Sequence, residues 1–99
     1  MLIPEIFLPV EGVNSFTEIQ YQFDFSGSIA NVLILNNRSM VVKTLSNNEI
    51  IGSKGFFRWD GDQDDGTRAS AGFYIVWFEV FQENGVVQTF RRRVIVASR

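Results

Sequence analysis

The stretch best suited by spacing to bind an ion runs Asp60-Gly61-Asp62-Gln63-Asp64-Asp65-Gly66. Carboxylates at Asp60, Asp62 and Asp64 would offer oxygen ligands to a hard cation such as calcium. A calcium loop counted from Asp60 would want glycine at its sixth position and glutamate at its twelfth. This chain has Asp65 and Ala71 there. The competing reading is a solvated turn whose aspartates bond their own backbone, as aspartates in turns commonly do. That reading is preferred. No cofactor is expected, with calcium at Asp60, Asp62 and Asp64 as the alternative.

Other chemistry is poorly supplied. The chain has no histidine and no cysteine. The commonest general base, the thiolate ligand and the usual nucleophile–base triad are therefore absent. Ser53 and Lys54 are adjacent, and nothing positions them as a catalytic pair. Two carboxylates for sugar hydrolysis would need separate environments across a cleft, whereas these aspartates share one turn. The chain reads as a protein that is not an enzyme.

Nine basic and eleven acidic side chains leave a net charge of −2. That balance argues against nucleic acid or anionic membrane as a partner. Arg91-Arg92-Arg93 is the one basic run, but strand alternation sends Arg92 to the side opposite Arg91 and Arg93. The triplet is expected to solvate an edge or to pair with acids across a ladder. No apolar run approaches the roughly 20 residues of a membrane helix. The amino terminus lacks a signal-peptide pattern, so an exported parent would imply a mature or excised piece.

The elements that must carry these residues read as strands. Thr17 to Phe25 alternates Ile19, Tyr21, Phe23 and Phe25 with polar residues, the period of a half-buried strand. Ile29 to Leu35 and Met40 to Leu45 flank Asn36-Asn37-Arg38-Ser39 as a hairpin. Ser46-Asn47-Asn48 is a loop signal, and Glu49 to Lys54 is a segment that crosses between sheets. Phe56 to Trp59 is a short strand, and Asp60 to Ser70 is a loop. Phe73 to Gln82 and Val86 to Ala97 pair through Asn84-Gly85. Ile6 to Leu8, between Pro4 and Pro9, adds an edge strand. With 99 residues, 45% of them hydrophobic and ten of them phenylalanine, the chain suits one domain with one core. The expected fold is an all-β, immunoglobulin-like antiparallel sandwich of about seven strands in a Greek key.

One strand departs from the usual pattern. Tyr74, Val76, Phe78 and Val80 form one apolar face, while Phe73, Ile75, Trp77 and Phe81, interrupted by Glu79, form another. A sandwich strand normally turns one face to water. Either the segment Ser46 to Lys54 covers the second face, or a neighbouring domain or second protomer does. Phe73, Ile75, Trp77 and Phe81 are the candidate contact residues. Trp59 is expected to be a core indole.

Several segments together resemble a known family. Ala30-Asn31-Val32-Leu33-Ile34, Val41-Val42-Lys43-Thr44-Leu45, Gly55-Phe56-Phe57-Arg58-Trp59-Asp60-Gly61, Gly66 and Ala71-Gly72-Phe73-Tyr74 occur in the order seen in the immunoglobulin-like domain of flagellar hook-capping proteins. The closer likeness is to carboxy-terminal domains of large exported bacterial surface proteins, including those with lamin-tail domains. It spans about Glu5 to Ala97. The resemblance implies a non-catalytic sandwich at the end of a longer secreted or cell-surface protein, with surface attachment or export machinery as its context. It assigns Gly55, Trp59, Asp60, Gly61, Gly66, Gly72 and Tyr74 to structure. The chain departs from relatives at Leu8 to Asn14, where an acidic loop is missing. It departs again at Ser39-Met40, where relatives carry Gly-Arg, so that turn must differ or accept strain.

The expected function is therefore docking, surface retention or export recognition. Two rivals remain: a carbohydrate-binding module using exposed Trp77 or Phe56, and a calcium-stabilised adhesion spacer.

Overall fold

The computed structural model describes residues 2–3, 6–7 and 16–97. Eight strands are present among them: β1 (Leu2–Ile3), β2 (Ile6–Phe7), β3 (Thr17–Gln22), β4 (Ser28–Leu35), β5 (Val41–Ile51), β6 (Lys54–Trp59), β7 (Gly72–Phe81) and β8 (Val87–Val96). They form two sheets, ordered β1-β3-β6 and β2-β8-β7-β4-β5. This is the expected all-β sandwich. Every pairing is antiparallel except that of the short β2 with β8, which is parallel. Leu8, Pro4, Pro9 and the segment from Leu8 to Asn14 lie outside the described residues.

Alternation sets which side chains meet between the sheets. On β4 and β7 the even-numbered residues Ala30, Val32, Ile34, Tyr74, Val76, Phe78 and Val80 are buried. From the smaller sheet Ile19 and Trp59 meet them, both fully buried. The smaller sheet leaves part of the larger one uncovered, and aromatics fill the gap. Phe78 sits among Tyr21, Phe57 and Phe90, with ring centroids 5.5, 5.9 and 6.4 Å away. Phe23 and Phe25 stack at 4.9 Å and pack against this cluster. The strand expected to reach Phe25 thus ends at Gln22. The peptide of Phe23 turns to bond the carbonyl of Ser53 at 2.6 Å.

The loop expected at Ser46 to Asn48 is strand instead. β5 runs on to Ile51 with register irregularities against β4. Asn48 adopts φ 56°, and its backbone N–H donates to the Asn31 side-chain oxygen at 2.8 Å. The Asn31 amide donates back to the Asn48 side chain at 3.2 Å. A turn-forming residue has been absorbed as a bulge. β5 then passes into β6 through Gly52 and Ser53, so this segment does cross between sheets.

Three turns share one design: a three-residue connection whose last residue takes positive φ. The peptide N–H of Ser39, Gly66 and Gly85 bonds the carbonyl of Asn36, Gln63 and Gln82 respectively, each at 2.9 Å. Glycine fills the left-handed position in two of them, at φ 87° and 88°, but Ser39 occupies it in the first at φ 62°. That turn therefore accepts strain, roughly 1–2 kcal/mol for a residue bearing a Cβ. Asn36 compensates by accepting the N–H of Arg38 and of Met40 at 2.9 and 3.0 Å.

Candidate functional site

The aspartate loop spans the gap between β6 and β7 and is bound tightly to the sandwich. Asp60 pairs with Arg58 at 2.6 Å. Asp62 pairs with Lys43 at 2.7 Å, and its carbonyl accepts the Trp59 indole N–H at 2.8 Å. Asp64 accepts the Thr44 peptide N–H on its side chain at 3.1 Å, and its own N–H bonds the Val42 carbonyl at 2.9 Å. Asp65 accepts both the hydroxyl and the N–H of Thr67, at 2.6 and 2.9 Å. Among the described residues no three acids gather as a metal site. The three carboxylates named as possible ligands each point to a different protein partner.

The electrostatics follow from these partners. The Asp62 carboxylate holds the Lys43 ammonium above its ordinary pKa. The Thr67 hydroxyl and N–H hold Asp65 below the usual carboxylate range. Burial, helped by Glu49, raises the Tyr21 phenol.

The residues assigned to structure hold the two ends of this loop. Trp59 packs edge-on against Tyr74, with centroids 5.4 Å apart. The Tyr74 hydroxyl reaches back four residues to donate to the Ser70 carbonyl at 2.7 Å, the corner found in many immunoglobulin-like sandwiches. The Gly61 carbonyl accepts the Ala69 N–H at 2.8 Å. Gly72 opens β7 opposite Val96. Gly55 permits a close approach, since a Cβ there would lie 2.6 Å from the Tyr21 hydroxyl oxygen. A cleft of about 320 Å³ lies beside the loop, lined by residues including Asn36, Arg38, Gln63 and Tyr74. The aspartates do not line it.

The outer face of the five-stranded sheet is different in character. Phe73, Ile75, Trp77 and Phe81 all lie on it, as alternation requires. Cross-strand register places Ile95, Arg93, Arg91 and Val87 beside Phe73, Ile75, Trp77 and Phe81 on β8. On the other flank Leu35, Leu33 and Ile29 oppose Ile75, Trp77 and Phe81, with Val41 and Ile50 beyond them on β5. Of the ten exposed large hydrophobic residues described, Ile29, Val41, Ile50, Phe73, Phe81, Val87 and Ile95 sit here. A polar row of Thr89, Glu79 and Asn31 crosses the middle. The segment Ser46 to Lys54 does not cover this face, because most of it is β5 within the same sheet.

Arg91 and Arg93 complete the face. Their guanidinium carbons lie 4.5 Å from the Trp77 ring centroid and 5.7 Å from that of Phe73. Of the two expectations for the triplet, acids across the ladder are not met, since Trp77 and Ile75 stand opposite, while the arginines are solvent-exposed along β8 where β2 does not pair with it. Among the described residues the ion pairs are Lys43–Asp62 and Arg58–Asp60, and neither involves these arginines. Leu33, Leu35, Arg91 and Arg93 were not among the sequence candidates. Leu33 and Leu35 join it through the register of β4 with β7, far apart in the chain, and Arg91 and Arg93 through the residue-by-residue register of the β7–β8 hairpin.

No protein-family model matches the chain, and no curated protein matches it. Solved structures do. FlgD from P. aeruginosa superposes with a TM-score of 0.63 at 16% identity, covering 87% of this chain and 66% of that one. CopC from Methylosinus trichosporium OB3b gives 0.58 at 13% identity, covering 98% and 89%. A truncated FlgD from Helicobacter pylori gives 0.56 at 20% identity, covering 84% and 62%. The chain thus spans slightly less than two thirds of the FlgD chains. FlgD proteins are flagellar hook-capping proteins, and what this chain shares with them and with CopC is an all-β sandwich fold.

Proposed function

We propose that this chain is a non-catalytic interaction module that docks another protein on the outer face of its five-stranded sheet. One observation carries the reading: most of the exposed large hydrophobic side chains described gather on that face, around Phe73, Ile75, Trp77 and Phe81. Contiguous exposed apolar area of this kind usually marks an interface. Tryptophan and arginine, both present on this face, are also enriched among residues that dominate binding. The FlgD-like fold supports a scaffold or interaction role. The sequence likeness extends the proposal to a terminal module of a secreted or cell-surface bacterial protein of the lamin-tail-associated kind. Its role there would be domain docking, surface attachment or export recognition.

A sugar-binding role fits less well. Trp77 is half-buried, and Arg91 already lies over its ring. A sugar would have to displace that cation before it could stack.

A photoreactive phenylalanine analogue placed at position 73 in the producing cells tests the docking face. It should cross-link to protein, whereas the same analogue at Phe56, exposed on the other sheet, should not. Trp77→Glu should remove the cross-link while leaving the circular-dichroism melt cooperative. Absence of a cross-link at position 73 would overturn the reading.

A further inference from the structure

The docking face is self-complementary, and we infer that its partner is a second copy of this chain, packed face to face about a two-fold axis. The inference rests on the docking reading and adds the identity of the partner.

The argument starts from the rows of the face. Each row from Ile75 to Phe81 crosses β8, β7 and β4, and all but the Glu79 row continue onto β5. Arg93, Ile75, Leu35 and Val41 form one row, and Val87, Phe81, Ile29 and Ile50 form another. Between them lie the row of Arg91, Trp77 and Leu33 and the polar row of Thr89, Glu79 and Asn31. Among its described residues the face therefore holds two cations and one carboxylate, with no ion pair between them.

Consider an axis lying between two such faces, across the strands and midway between the Trp77 and Glu79 rows. Rotation by half a turn keeps each strand over its own copy and reverses the rows. Ile75 and Leu35 then settle on the partner's Phe81 and the partner's Ile29. Val41 meets the partner's Ile50, which removes two of the most exposed hydrophobic residues from water. Trp77 lies over the partner's Glu79, and Arg91 lies one strand away from that carboxylate, about 4.8 Å laterally. An arginine side chain spans that offset easily. Two identical Arg91–Glu79 pairs form, as an isologous contact requires. A desolvated charge pair of this kind sets register and rejects wrong partners.

The size fits as well. Four strands about 4.8 Å apart, overlapping over about seven residues at about 3.4 Å each, make a face on the order of 450 Å² in projection. Side-chain relief makes the accessible area larger, which brings it toward the roughly 800 Å² per partner of a stable complex. Masking Ile50, Val41 and Phe81 also accounts for hydrophobic side chains that nothing else in the described chain covers.

Sedimentation velocity on the full chain tests this. The wild type should run as a concentration-dependent dimer. Glu79→Arg and Arg91→Glu, each alone, should weaken the dimer at least about tenfold, because each places like charges together across the axis. An equimolar mixture of the two variants should restore a dimer, since every cross-axis pair is then Arg with Glu. Recovery in the mixture also shows that both variants are folded. A wild type that stays monomeric, or a mixture no more associated than either variant alone, would overturn the inference. If the position-73 cross-link contains only a different protein, the docking reading stands and the second-copy inference fails. If neither cross-link nor dimer forms, both fail.

Discussion

The two faces of β7 are built from nearly the same residue types, yet they serve different ends. Inward, Tyr74, Val76, Phe78 and Val80 are between 0% and 7% exposed. Outward, Phe73 and Phe81 are 41% and 36% exposed, with Ile75 and Trp77 half-buried. Hydrophobicity alone does not distinguish them. What differs is what lies opposite. The inner face meets Ile19 and Trp59 from the smaller sheet and the rings of Tyr21, Phe23, Phe57 and Phe90, whereas the outer face meets two arginine side chains lying over its rings. A side chain's contribution to stability comes from the water and voids it excludes. The inner face should therefore govern folding, and the outer face association.

Three substitutions break or sharpen that contrast. The largest effect belongs to Phe78→Ala, which empties the centre of the aromatic cluster and should cost about 3–5 kcal/mol in urea unfolding. A loss below about 1 kcal/mol would mean that the inner rings are not a packed core. Tyr74→Phe keeps the ring and removes the bond to the Ser70 carbonyl, so about 1–2 kcal/mol should disappear from thermal or chemical unfolding. An unchanged midpoint would show that the corner is occupied without being stabilising. The smallest change in stability is expected for Phe81→Ser on the outer face, about 0.5 kcal/mol or less at a surface position, together with loss of self-association. If that variant unfolds as readily as Phe78→Ala, the division of labour between the faces is wrong.

Much of the fold was legible because alternation is a local property. Ile19 and Tyr21 on β3, and the two registers of residues on β7, announce strands without any tertiary knowledge. The run through Asn47 and Asn48 was not legible in the same way. Those residues favour turns, but the side chain of Asn31, seventeen positions earlier, provides the bonds that hold Asn48 in a bulge. The candidate face was half legible. The missing alternation around Trp77 exposes the anomaly on one strand, but Leu33 joins it only through the distant pairing of β4 with β7, and Arg91 and Arg93 only through the residue-by-residue register of the hairpin. The aspartate loop shows the same limit. Its spacing suggests a cation, whereas its partners, Lys43 and Thr44, come from β5 and lie nineteen and twenty residues from Asp62 and Asp64.

The contact of Asp64 with β5 has a consequence for assembly. By bonding the Val42 carbonyl and the Thr44 N–H, the loop occupies main-chain groups on the margin of the larger sheet. An incoming strand would have to evict Asp64 before it could zip on there. That stretch of the β5 edge, from Val42 to Thr44, is thereby guarded against strand-on-strand growth.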